Sequence, residues 1–234
     1  MSSIAEWTQW AERQASPRLT EWLREVSEPD WSRTVHHPLF DALAARRLTD
    51  QKFAAYMVQD YGFVDPFTAL LGQAIGHAPG MQDRVVLGQF MGMLTSDENS
   101  TFQRTFEAYG VSAEAEYLPA TRDFRQLLKD TALHQEGARS TRYAEMLAVL
   151  VVTEWLYLEW ATRVERSEGL QPLMEEWIDL HDNPDFRTFV AWLRRRLEEE
   201  MSRLEDEAFA GVVKRFRETV ACERAFHDAV YHAD

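Results

Sequence analysis

Three long stretches of this chain repeat their apolar residues at helical spacing, and that repeat limits the fold more than any other feature. From Asp50 onward, Phe53, Tyr56, Met57, Tyr61, Val64, Phe67, Leu71 and Ile75 advance mainly by three and four. One face of an α-helix requires those steps. From Thr141, the stripe is Tyr143, Leu147, Leu150, Tyr157 and Ala161, in a segment apolar nearly all round, as a central buried helix would be. Near the end of the sequence, Phe209, Val212, Phe216, Val220, Phe226 and Val230 repeat the pattern. Alternating β-branched runs between Asn-Gly or Asp-Gly turns do not occur, so strands are not expected. The fold class predicted is all-α.

Helix starts are marked by proline and by capping residues. His37-Pro38, Leu118-Pro119 and Asn183-Pro184 read as a cap followed by the first helical position, as does Ser16-Pro17. Thr49-Asp50 and Ser140-Thr141 are further caps. Together they predict helices near 3–14, 17–26, 37–46, 50–76, 80–109, 119–134, 141–168, 171–181, 185–206 and 208–232. No linker or repeat interrupts them, so residues 1–234 are expected to form one domain.

Inside each of the three long stripes stands one carboxylate. Asp60 is four after Tyr56 and four before Val64. Glu154 is four after Leu150 and three before Tyr157, and Glu223 is three after Val220 and three before Phe226. Any one such acid is ordinarily a solvated edge residue or the partner of an arginine. Three in three core-facing stripes point to a shared acidic pocket, because burying an unpaired carboxylate costs several kcal/mol and pushes its pKa up. Groups shifted in that way exchange protons near neutral pH. The aromatics beside these acids are ordinary core residues by spacing, and they would equally suit the walls of a pocket for a flat heteroaromatic ligand.

The remaining chemistry-bearing residues exclude more than they assign. The net charge of −14 disfavours nucleic acid and anionic lipid. The single cysteine, Cys222, forms neither an internal disulfide nor a thiolate metal cluster. The first residues lack a basic and an apolar region, and the apolar run from Met146 to Trp160 carries Glu154 and Glu159, so a cytoplasmic, membrane-free protein is expected. Glu-x-x-His, His-Glu-x-x-His, Gly-x-Gly-x-x-Gly, P-loop and Gly-x-Ser-x-Gly motifs are all missing. Glu223 and His227, four apart, share a helix face as an ion pair would.

Several segments in order resemble the TenA (thiaminase II) family. They are His37-Pro38-Leu39-Phe40, Leu48-Thr49-Asp50-Gln51-Lys52-Phe53, Tyr56-Met57-Val58-Gln59-Asp60-Tyr61, Glu154-Trp155-Leu156-Tyr157-Leu158-Glu159-Trp160 and Glu223-Arg224-Ala225-Phe226. The resemblance implies a haem-oxygenase-like helical fold, usually in homodimers or homotetramers, that needs neither metal nor organic cofactor. It implies hydrolysis of thiamin-derived aminopyrimidines, such as 4-amino-5-aminomethyl-2-methylpyrimidine, to the hydroxymethyl compound. It also implies roles: Asp60 grips the pyrimidine, Glu223 moves the proton at the leaving group, and Tyr157, Phe63, His181 and Phe226 complete the substrate site. Where the common branch has a cysteine nucleophile, this sequence has Thr153, and it resembles the branch in which the next residue, here Glu154, enters the pocket. That branch is linked to formylamino- or amino-pyrimidines.

The function expected is therefore C–N hydrolysis in thiamin salvage by carboxylate acid–base catalysis, with Glu154 and Glu223 sharing proton transfer. Two other readings stay open: a metal-dependent oxidase with Glu98, Glu154, His181, Glu223 and His227 as ligands, and a non-catalytic pyrimidine-binding regulator.

Overall fold

A computed structural model describes residues 2–134 and 137–233. The described residues form twelve α-helices and no strand. In order they are α1 Ser3–Ala11, α2 Leu19–Glu25, α3 Asp30–Val35, α4 Pro38–Ala44, α5 Asp50–His77, α6 Met81–Met93, α7 Asn99–Tyr109, α8 Pro119–Leu133, α9 Arg139–Arg163, α10 Pro172–His181, α11 Pro184–Met201 and α12 Asp206–His232. A single π-helical turn, Leu94–Glu98, joins α6 to α7.

The caps explain most of the starts. Thr49 accepts the Lys52 N–H through its side chain, His37 accepts that of Leu39, and Asn183 accepts that of Phe186. Two expected starts are displaced. The helix after Pro17 begins at Leu19 with Arg18 as its cap, and the helix after Ser140 begins earlier, at Arg139, with Ala138 as its cap. Helix α3, which carries the fully buried Trp31, has no long stripe and was not expected from periodicity. The helix expected over 80–109 is broken by the π turn, whose wider ladder spacing leaves no mark on apolar periodicity.

Helix α9 is the axis of the molecule. Every residue from Met146 to Tyr157 is buried, as its all-round apolar sequence requires. It packs against α12, α11, α5, α3, α10 and α8. Polar residues on this axis are fixed where a partner reaches them. Glu159 accepts both the Trp31 indole N–H and the Arg24 guanidinium, each at 2.9 Å.

Two devices hold the segment before α8 against α5. Gln59 Nε2 donates to the Glu116 carbonyl, and its Oε1 accepts from the Leu118 amide and the Thr121 hydroxyl. Gly62 allows the Tyr117 ring to lie on the helix, since a Cβ there would meet Tyr117 Cε1 at 2.7 Å. Both sit within two residues of Asp60. No helix among the described residues is long and apolar enough to cross a membrane.

Candidate active site

Helices α5, α9 and α12 bring Asp60, Glu154 and Glu223 to one cavity. Its volume is about 60 Å³, several times what one water needs. Phe63, Phe67, Phe102 and Phe124 supply apolar walls, and Thr153, Tyr157 and His181 add polar groups. Asp60, Glu154 and Glu223 are 6%, 8% and 2% exposed, so all three acids sit inside the protein rather than at its edge.

A hydrogen-bond chain holds Asp60. The Trp177 indole N–H donates to the Tyr56 hydroxyl at 3.2 Å, the Tyr56 hydroxyl to Tyr157 at 3.4 Å, and the Tyr157 hydroxyl to Asp60 Oδ1 at 2.7 Å. An indole N–H only donates, so Tyr56 accepts here and its own hydrogen is left for Tyr157. Asp60 therefore receives at Oδ1 and keeps its other oxygen for a ligand. Burial raises its pKa to about 7, against the opposing effect of the Tyr157 bond.

Glu154 Oε1 lies 3.2 Å from the Thr153 hydroxyl, which is also 3.1 Å from the carbonyls of Val149 and Leu150. A hydroxyl has one hydrogen. If it goes to a helix carbonyl, the bond to Glu154 is made by a carboxylic O–H of Glu154. Burial raises Glu154 to about 8 despite the Thr153 contact, and Asp60 adds to the rise. Glu223 is pushed well above the carboxylate range by burial, then by Asp60 and Glu154, and its Oε2 is buried with no hydrogen-bond partner.

One acid in this cavity was not among the expected catalytic pair. Glu98, the last residue of the π turn, lines the cavity, although it is only half-buried. Burial raises its pKa well above the usual range, with Glu154 and then Asp60 adding to it. The π turn rotates it relative to the α-helical repeat, so it stands in no apolar stripe, and the sequence points to it only as a ligand of the oxidase alternative. Phe226 is the converse case. It is absent from the cavity wall and lies one layer behind, its ring edge-on to Phe63 at 4.7 Å and 6.1 Å from Tyr56. The Phe63 ring stands on the cavity wall in front of it, so Phe226 supports the wall rather than forming it.

His181 is buried and its Nδ1 faces the Trp177 carbonyl at 2.9 Å. Burial lowers its pKa to about 4, so it is neutral at ordinary pH. Cys222 is half-buried outside the cavity wall, and burial raises its thiol to about 11. Among the described residues, no three His, Cys, Asp or Glu side chains are arranged to hold a metal ion. Of the donors named for an oxidase, Glu98, Glu154, His181 and Glu223 line the cavity and His227 does not.

A helical domain with a buried acidic, aromatic-walled cavity is the setting in which the comparisons with known proteins fall. Residues 25–233 match the TENA/THI-4/PQQC family, and the chain belongs to it. The aminopyrimidine aminohydrolase of Halalkalibacterium halodurans is 23% identical over 212 residues, covering 90% of this chain and 94% of that protein. The aminopyrimidine aminohydrolase of Bacillus subtilis is 20% identical over 198 residues, covering 82% of this chain and 77% of that protein. A TenA homologue from Pyrococcus furiosus superposes with a TM-score of 0.80 at 19% identity, covering 91% and 99% of the two chains. The fold is the all-α haem-oxygenase-like arrangement of these proteins.

Proposed function

We propose that this chain is a C–N hydrolase that acts on a thiamin-derived aminopyrimidine in salvage of that ring. The observation that carries the reading is the set of buried carboxyl groups facing one aromatic-walled cavity without a cationic side chain on its wall. The family and the printed names of two relatives support the substrate class.

In this reading the pyrimidine lies between the phenylalanines, and the free oxygen of Asp60 accepts from its amino group. Water adds to the exocyclic methylene carbon as the C–N bond breaks, giving a hydroxymethyl group and ammonia. On an N-formyl substrate the same water adds to the formyl carbon, giving the amine and formate. Either route needs one group to take a proton from water and another to give one to the leaving nitrogen. Neighbouring buried carboxyls suit this because they cannot all ionise together. Glu154, with a pKa near 8, holds its proton at neutral pH and can give it up. Glu223 shares the transfer, and Glu98 is close enough to the same charge balance to contribute. No thiolate takes part, since Thr153 stands where a nucleophile would be and Cys222 lies elsewhere.

The test is turnover of aminomethyl- and formylaminomethyl-pyrimidine by the purified protein beside Glu154→Gln and Glu223→Gln. Ammonia or formate release that collapses in both variants supports the reading. Equal turnover in all three proteins would overturn the carboxylate mechanism, and no turnover of either compound by the wild type would overturn the substrate assignment.

A further inference from the structure

The cavity leaves one buried titratable group unexplained. His227 is wholly buried, and neither of its ring nitrogens has a hydrogen-bond partner. Its ring is wedged among Phe40 at 4.9 Å, Phe226 at 5.1 Å, His37 at 5.9 Å and Tyr157 at 6.1 Å between centroids. A phenylalanine would fill such a niche without burying two polar atoms, so the imidazole calls for a partner.

The neighbours narrow the choice. His37 is fully engaged, its Nδ1 taking the Leu39 amide and its Nε2 facing Asp228 Oδ1 at 3.3 Å. Tyr157 gives its hydrogen to Asp60 and receives that of Tyr56. Trp160 Nε1 is also without a partner, but it only donates, so it can serve only the ring nitrogen that accepts. The group left over is Glu223, one turn earlier on α12 and therefore on the same face, whose Oε2 is likewise buried and unpartnered. Burial, then His37, holds His227 well below the usual histidine range, which leaves a neutral ring with one N–H donor and one acceptor.

We propose that His227 is a positioning residue for Glu223: it donates a ring N–H to the Glu223 carboxyl through one buried water, and stabilises the carboxylate formed when Glu223 releases its proton. The proposal rests on Glu223 being the proton-transfer group of the preceding section, and it deepens that reading. Hydrogen bonding to the charged form of an acid favours that form. His227 thus opposes what the rest of the surroundings do to Glu223. Asp60 on α5 and Glu154 on α9 repel its charge, Glu98 on the π turn lines the same cavity, and Tyr157 and the neutral His181 of α10 carry no charge.

The experiment is a carbon-13 NMR titration of the glutamate side-chain carboxyls, with the Glu223 signal identified by its loss in Glu223→Gln. In His227→Phe the Glu223 midpoint should move up by about one pH unit or more, and His227→Gln, which restores an N–H donor, should bring it back. Equal midpoints in wild type and His227→Phe would overturn the proposal. If Glu223 does not titrate before the protein unfolds, nitrogen-15 shifts of the His227 ring decide. They should change in Glu223→Gln and not in Glu154→Gln; no change in Glu223→Gln overturns the proposal. Neither readout depends on turnover. A protein that fails to hydrolyse aminopyrimidines but shows the shifted midpoint would refute the substrate assignment and leave the pairing of Glu223 with His227 standing.

Discussion

Glu200 and Glu223 are 4% and 2% exposed, and each continues the apolar stripe of a long helix. They differ in what meets them. Glu200 Oε1 accepts from Arg196, and from Arg203 at 2.8 Å, while Arg196 also donates to Asp83 Oδ2 at 2.9 Å. Glu223 shares its cavity with the buried Asp60 and Glu154 and the neutral His181, and one of its oxygens has no partner. A buried acid supplied with cations is part of the scaffold. A buried acid left without them holds a proton it can exchange, and the molecule keeps three of these at one cavity.

That contrast predicts opposite outcomes for the same change. Glu223→Gln should cut turnover of the aminopyrimidine by about a hundred- to ten-thousand-fold while leaving the melting temperature unchanged or higher. Glu200→Gln should keep the active site and lower stability by about 3 kcal/mol, the low end for a broken buried pair because Arg196 retains Asp83. Steady-state kinetics and thermal melts on the two variants make the comparison, and a loss of fold in Glu223→Gln would break it.

The pH dependence of stability should separate the regions next. An acid whose folded pKa is raised stabilises the fold below its unfolded pKa and loses that contribution as pH rises through the folded value. For Asp60 and Glu154 the window runs from the ordinary values of 3.8 and 4.5 to about 7 and about 8. Melts of wild type and Glu154→Gln should therefore diverge between pH 4.5 and 8, the variant gaining on the order of a few kcal/mol relative to wild type by the alkaline end. Parallel curves would mean that Glu154 is not held protonated.

A smaller effect is expected at Tyr157→Phe. Removing its bond to Asp60 should raise KM about tenfold through looser holding of the ring, with less change in kcat. The smallest is Cys222→Ser, which should leave kcat/KM within about twofold, since a half-buried thiol outside the cavity wall, with a raised pKa, supplies no thiolate there.

The long helices were legible because burial on one face imposes a period that any reader of Phe53 to Ile75 can see. Asp60, Glu154 and Glu223 were legible as exceptions to that period. What the period cannot show is where an arginine ends up. Glu200 follows Leu197 by three and breaks its stripe as Glu223 does, and only the tertiary arrangement of Arg196 and Arg203 separates the two. Glu98 escaped for a different reason, since a π turn shifts register without changing composition. Phe226 came from the resemblance to the family, and a linear motif cannot tell a ring on the cavity wall from one packed behind it.

The indole of Trp177 has one further consequence. Because it can only give a hydrogen, Tyr56 must accept from it and keeps its own hydrogen for Tyr157, whose hydrogen then goes to residue 60. An asparagine there keeps this run of hydrogens by turning its oxygen inward and its NH₂ toward the bound ring. In the reading proposed for Asp60, a single atom exchanged by mutation would thus invert the edge that the cavity reads, from amino-bearing rings to oxo-bearing ones.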